Sequence, residues 1–218
     1  MESKNSLCSW SGGKDSCFAL MKAIEAGYQP VALLNVLNEE GRISRSHGIP
    51  SSILNAQAAA AGLPIRLIPS SWQDYEQNFT GALIHLRSAY NISHAVFGDI
   101  DLQAHRDWEE KVCTNAGITA VLPLWQRDRK ELVFEMLESG IRTMIVSCNE
   151  LMGPEFLGRL IDEQCVIDLE NTGVDVCGEN GEFHTLVTAC PLFSETVTVN
   201  VVEKLKHENY WFSKLTLQ

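Results

Sequence analysis

Ser11-Gly12-Gly13-Lys14-Asp15-Ser16 lies between a short apolar run, Leu7-Cys8-Ser9-Trp10, and a helical pattern, Cys17-Phe18-Ala19-Leu20-Met21-Lys22-Ala23-Ile24. Strand, glycine-rich turn and helix in that order present backbone N–H groups to an anion. The paired glycines permit close approach and positive φ, and the helix N-terminus adds a favourable dipole. Lys14 brings a full charge, and Ser11 and Ser16 bring hydroxyl donors. An ordinary Ser-Gly-Gly loop, with Asp15 or Ser16 capping the helix, is the plainer reading. The ordered set of strand, glycines, Lys-Asp-Ser and helix favours phosphate. It is not a Walker A loop, because Asp15 and not Ser or Thr follows Lys14, and the G-x-G-x-x-G fingerprint is absent.

Outward from this turn the chain alternates. Gly27 closes the first helix, and Pro30-Val31-Ala32-Leu33-Leu34-Asn35-Val36-Leu37 reads as a buried parallel strand. A polar segment over 38–50, carrying His47, is long enough to be a functional loop. Helices are expected over 51–61, 72–90 and 102–116, and strands over 63–68, 93–97 and 119–122. Repeated strand–helix units imply a parallel sheet covered on both faces, with ligands at the carboxyl ends of its strands. The loops after Trp10, Leu37 and Phe97 then converge on one cleft. The pattern changes near Pro123-Leu124-Trp125-Gln126-Arg127. Beyond it, helices are expected over 129–139 and 154–163, and strands over 143–147, 174–177, 183–187 and 196–202. The fold class is therefore α/β: a Rossmann-like parallel sheet with helices on both faces, plus a smaller α+β C-terminal domain. The expected division is 1–127 and 128–218.

With 218 residues, 45% of them hydrophobic, the chain can bury a sizeable core. A net charge of −11 disfavours non-specific nucleic-acid binding, which needs Lys and Arg against phosphates. Cys8, Cys17, Cys113, Cys148, Cys165, Cys177 and Cys190 are scattered, odd in number and free of C-x-x-C pairs. That argues against a disulfide framework or a zinc ribbon, so no metal ligands are assigned. It fits buried apolar cysteines in a reducing cytoplasm. No signal peptide or membrane-spanning run is read.

A second unusual segment is Gly178-Glu179-Asn180-Gly181-Glu182-Phe183-His184-Thr185. Asn-Gly is a strong hairpin signal, and on its own it needs no further explanation. Two glutamates and a histidine around the turn go beyond that. Such carboxylates suit an amine, a metal or a proton-transfer role.

The 11–16 turn resembles the PP-loop of N-type ATP pyrophosphatases, whose members grip the β,γ-pyrophosphate while a substrate attacks the α-phosphate. Together with Cys-Gly-Glu-Asn-Gly-Glu-Phe-His-Thr at 177–185, it resembles the diphthine–ammonia ligase family, the ATP-binding domain 4 proteins. Phe97-Gly98-Asp99-Ile100, the Pro-Leu-Trp before Gln126, Met152-Gly153 with Leu157-Gly158, and Cys190-Pro191-Leu192-Phe193 extend the likeness over nearly the whole chain. The resemblance implies a HUP-type N-terminal domain and a family-specific C-terminal domain. It implies a ligase that adenylates the carboxylate of diphthine on elongation factor 2 with ATP and Mg²⁺, then amidates it with ammonia. Ser11, Gly12, Gly13, Lys14, Asp15 and Ser16 would hold the pyrophosphate, with Gly98 and Asp99 on the nucleotide side. Lys14, Asp15, Glu179 and Glu182 are the candidate catalytic residues. His47, Glu179, Asn180, Glu182 and His184 would form the acceptor side. Ser44-Arg45-Ser46-His47-Gly48-Ile49-Pro50 departs from the Tyr-Met-Phe-His-Thr type of sequence of archaeal members, which suits a different carboxylate acceptor in a bacterial member. A tRNA-modifying PP-loop enzyme and a nucleotide sensor without turnover are the competing readings. No membrane partner is expected, and a homo-oligomer is left open.

Overall fold

The computed structural model describes residues 4–218. Five parallel strands make the first sheet: β1 (Asn5–Ser9), β2 (Gln29–Leu37), β3 (Ile65–Pro69), β4 (His94–Val96) and β5 (Thr119–Val121). Their order is β3-β2-β1-β4-β5. The order reverses at β1, so the crevice beyond β1 and β4 is the switch point where α/β sheets take ligands. α1 (Lys14–Glu25), α2 (Ser51–Ala60), α3 (Tyr75–Tyr90) and α4 (Gln103–Ala116) connect these strands.

Side-chain alternation divides the sheet into two faces. Leu7, Ala32, Leu34, Ala95 and Phe97 pack with Phe79, Leu83 and Leu86 of α3 and Val112 and Cys113 of α4. Cys8, Leu33 and Val96 point the other way, onto Phe18 and Leu20 of α1 and Ile53 and Leu54 of α2. The strands are apolar on both faces because both are covered.

After α5 (Arg129–Glu138) comes an antiparallel sheet of order β7-β6-β9-β8. Its strands are β6 (Arg142–Asn149), β7 (Phe183–Ala189), β8 (Val199–His207) and β9 (Tyr210–Leu217), with α6 (Glu163–Asn171) between β6 and β7. Residues 154–163 are not the expected helix. Gly153 and Gly158 take φ of 81° and 85°, and the segment runs beside β6, with Gly158 N–H on Ile145 O and Ile161 N–H on Thr143 O. The helix starts only at Glu163, where the Asp162 side chain accepts from Cys165 N–H at 2.7 Å. Residues 174–177 are likewise a turn and not a strand. The Asp175 carboxylate accepts from Cys177 and Glu179 N–H, offering the backbone a local alternative to a ladder. Asn180-Gly181 is a turn, with Gly181 N–H on Gly178 O, and only its C-terminal side continues as a strand. Among the described residues no helix is long and apolar enough to cross a membrane, and all seven cysteines are free and buried.

Candidate active site

A cleft of about 670 Å³ opens at the carboxyl ends of β1 and β4. The 11–16 turn forms its floor. Gly12 takes φ of 86°, which an L side chain rarely adopts, and its carbonyl accepts from Val187 N–H at 2.9 Å. Gly13 is the N-cap of α1, where a Cβ would come within 2.6 Å of the His47 ring. Neither glycine lines the cleft. They shape the turn, while Ser11, Lys14, Asp15 and Ser16 face the opening. Ser11 and Ser16 hydroxyls meet at 3.0 Å.

Lys14 joins the two sheets. Its backbone N–H donates to Thr185 Oγ1 at 3.0 Å, and its ammonium donates to Cys177 O at 2.5 Å. The same ammonium meets both Asp15 carboxylate oxygens at 2.8 Å. Burial opposes this charge, but Asp15 and Glu179 outweigh it and hold the Lys14 pKa above its usual range. Gly98 fits against the same turn, since a Cβ there would lie 2.7 Å from Asp15 C and Ser16 N.

The far wall comes from residues 177–185, with Glu179, Asn180 and His184 lining the cleft. Burial first, then the Asp15 charge, pushes the Glu179 carboxyl up to about 8. His47 reaches this wall by a 2.9 Å hydrogen bond from Nδ1 to Thr185 O, and its ring lies 4.6 Å from that of His184. Burial depresses both imidazoles, His184 to about 3. Glu182 is absent from the lining: its oxygens accept from Asn180 N–H and Nδ2, each at 3.0 Å, and so brace the turn. Tyr210 Oη donates to Gly181 O at 2.7 Å and supports the same turn from β9.

Sequence reasoning missed a group on α4. His105, Trp108 and Glu109 all line the cleft, beside Trp72 and Tyr75. His105 Nδ1 donates to Asp99 Oδ1 at 2.6 Å. Glu109 is 3% exposed, its Oε2 meets no hydrogen-bond partner among the described residues, and it lies close enough to Asp99 for the two carboxyls to interact. Burial, then the neighbouring Asp99, raises the Glu109 carboxyl to about 11, which favours its protonated form. Burial opposes the Asp99 charge, but the His105 hydrogen bond helps hold its carboxyl below the usual range. The one available signal was the i, i+4 spacing of His105 and Glu109, which puts both on one helix face. Among the described residues no group of three or more His, Cys, Asp or Glu is arranged to hold a metal ion.

Comparison with known proteins matches two family models, the diphthamide synthase N-terminal domain over residues 4–120 and the diphthamide synthase C-terminal domain over residues 128–217. A human protein named diphthine–ammonia ligase is 32% identical, over 90% of this chain and 83% of its own length. A zebrafish (Danio rerio) protein of the same name is 27% identical, over 93% of this chain and 89% of its own. A crystal structure described as a predicted subunit of tRNA methyltransferase from Methanocaldococcus jannaschii superposes with a TM-score of 0.46 at 16% identity. That pairing covers 86% of this chain and 97% of the other.

Proposed function

The chain belongs to the diphthamide synthase family, and we propose that it is an ATP-dependent carbon–nitrogen ligase working through an acyl-adenylate. In this reading a substrate carboxylate attacks the α-phosphate of ATP, pyrophosphate leaves, and ammonia displaces AMP to form the amide. The acceptor is diphthine on elongation factor 2, or another carboxylate in an organism that makes no diphthamide. One observation carries the reading: Lys14 sits in the phosphate turn and is also bonded to Cys177 and Thr185, so the two halves of the chain share one cleft.

Stabilisation of a departing pyrophosphate is largely electrostatic, and the preorganised Lys14 ammonium with the Ser11 and Ser16 hydroxyls suits it. Holding the acceptor carboxylate against the α-phosphate contributes through proximity, with a ceiling of ~7–11 kcal/mol. Glu179, Asn180 and His184, with His47, form the acceptor wall. Use of ATP implies Mg²⁺, and the cleft offers the carboxylate oxygens a hard cation prefers: burial, then the Asp15 and Asp99 charges, raises Glu179. Asp15 would hold the ion beside the phosphates, where it would neutralise charge on the leaving oxygens. The division into 1–127 and 128–218 is part of this proposal, supported by separate family matches to each side.

The test is incubation with α-labelled ATP, Mg²⁺, ammonium and diphthine-bearing elongation factor 2. AMP and pyrophosphate are expected in step with amidation, with a fall of ~10²–10³ in Lys14→Ala, the loss typical of a preorganised donor. Release of ADP and phosphate would overturn the reading.

A further inference from the structure

The two halves of the proposed reaction differ in their protons. Carboxylate attack on the α-phosphate moves none. Attack by ammonia forms the C–N bond and breaks the bond between the carbonyl carbon and the phosphate oxygen. The electron pair leaves with AMP, and one proton must leave the nitrogen. Several cleft groups are poorly placed to take it. Lys14 is held as a cation by Asp15. His47 commits Nδ1 to Thr185 O, and burial keeps both His47 and His184 short of protons.

Resting on the reading above, we propose that His105 takes this proton through Nε2, with Asp99 and Glu109 positioning its ring and Glu179 bounding the ammonia site. The geometry is that of an oriented base. Nδ1 donates to Asp99 at 2.6 Å, which fixes the tautomer and leaves the Nε2 lone pair free. The ring lines the cleft with its side chain 59% exposed, open to a small incoming nucleophile. On the same helix, buried Glu109 carries an Oε2 with no hydrogen-bond partner among the described residues, and the Asp99 charge helps it keep its proton. An ordinary surface ion pair needs no buried carboxyl behind it. The charged groups acting on His105 are Asp99 in the loop after β4 and Glu179 in the loop before β7, with Glu109 of its own helix acting through Asp99. The Asp99 hydrogen bond leads in keeping the imidazole above its ordinary 6.5, which makes it a stronger base and stabilises the imidazolium formed.

The experiment compares the wild type with His105→Gln and Glu109→Gln in three assays, each with diphthine-bearing elongation factor 2 as acceptor. These are ATP–pyrophosphate exchange, amide formation at constant free ammonia across pH, and hydroxamate formation from hydroxylamine. Hydroxylamine is largely unprotonated at neutral pH and attacks without help from a base. His105→Gln is expected to keep exchange and hydroxamate formation, and to lose ammonia-dependent amidation by ~10²-fold. The wild-type amidation rate rises with pH through a limb above 6.5, and that limb is missing in His105→Gln. Added imidazole restores part of the loss. Glu109→Gln shifts the limb and loses less. Equal losses with both nucleophiles, or no loss with either, would overturn the role of His105. Absence of exchange in the wild type would instead overturn the adenylation reading on which it rests.

Discussion

Gly98 is defined by what would touch it. A Cβ there would sit 2.7 Å from Asp15 C and Ser16 N, and both are backbone atoms that cannot swing aside. Gly98→Ala must therefore push the 11–16 turn out of place. Overpacking of this kind costs about 1–3 kcal/mol, and the local effect on the turn should exceed the global one. We expect weaker ATP binding by isothermal calorimetry with most of the thermal stability kept. Unchanged ATP affinity would show that the turn is not positioned from β4. Residues of this kind were partly legible in the sequence. The 11–16 turn declared itself because charge, hydroxyls and glycines are adjacent in the chain. The grouping of His105, Asp99 and Glu109 did not, since a lone histidine on a polar helix reads as a solvated face. What makes it a constellation is the turn of the chain between β4 and α4, and no spacing rule reports that. Glu182 is the converse, a glutamate beside a turn that looks chemical and whose oxygens are taken up by Asn180.

Among the elements, α2 reaches the site through one buried side chain. Gln57 is 0% exposed; its Oε1 accepts from Trp10 Nε1 at 2.9 Å, and its Nε2 donates to Gly12 O at 3.0 Å and Val187 O at 2.7 Å. It thus fastens Trp10 at the end of β1, the 11–16 turn and β7 to one helix. Gln57→Leu keeps the bulk but leaves the Trp10 indole N–H without its acceptor. The expected loss is about 2–4 kcal/mol, or roughly 5–15 °C in Tm, with weaker ATP binding. A Tm within a degree of the wild type would mean the three groups are satisfied without it. The parallel βα units were readable because each strand is apolar on both faces and each helix carries its own stop. The antiparallel half was harder. Phe156, Leu157 and Ile161 have helix-like spacing, yet they are buried from a run of turns that meets β6 through a single bridge, Leu160 to Met144. β8 is largely exposed and bulged between Val201 and Glu203, so little burial pattern marks its length. The Thr-Val alternation that predicts a strand ends at Val202 and does not announce β9.

Over the whole molecule the two sheets share one apolar core. Cys8 and Phe18 on the parallel side join Val146, Leu186 and Leu215 on the antiparallel side in a single cluster. Disturbance at either side of the cleft is therefore felt in global stability, and its buried titratable groups set how that stability depends on pH. Glu109 and His184 act in opposite senses. The folded state keeps the Glu109 proton up to about 11, burial being the main cause, whereas an unfolded chain releases it near 4.5. Stability is thus lost progressively as pH rises above about 4.5, because the folded state binds the extra proton. His184 is held down to about 3, mainly by burial, against an ordinary 6.5. Below 6.5 the unfolded chain takes a proton that the folded one refuses, so stability falls as pH drops towards about 3. Glu109→Gln removes the first effect at nearly unchanged side-chain volume. Urea unfolding of both proteins at pH 5 and pH 8 should show the variant gaining on the wild type by about 2–4 kcal/mol between those values. A difference that stays flat, or that narrows as pH rises, would show Glu109 ionised in the folded protein. Two ionised carboxylates would then face each other beside His105, and Glu109 would have no positioning role towards it.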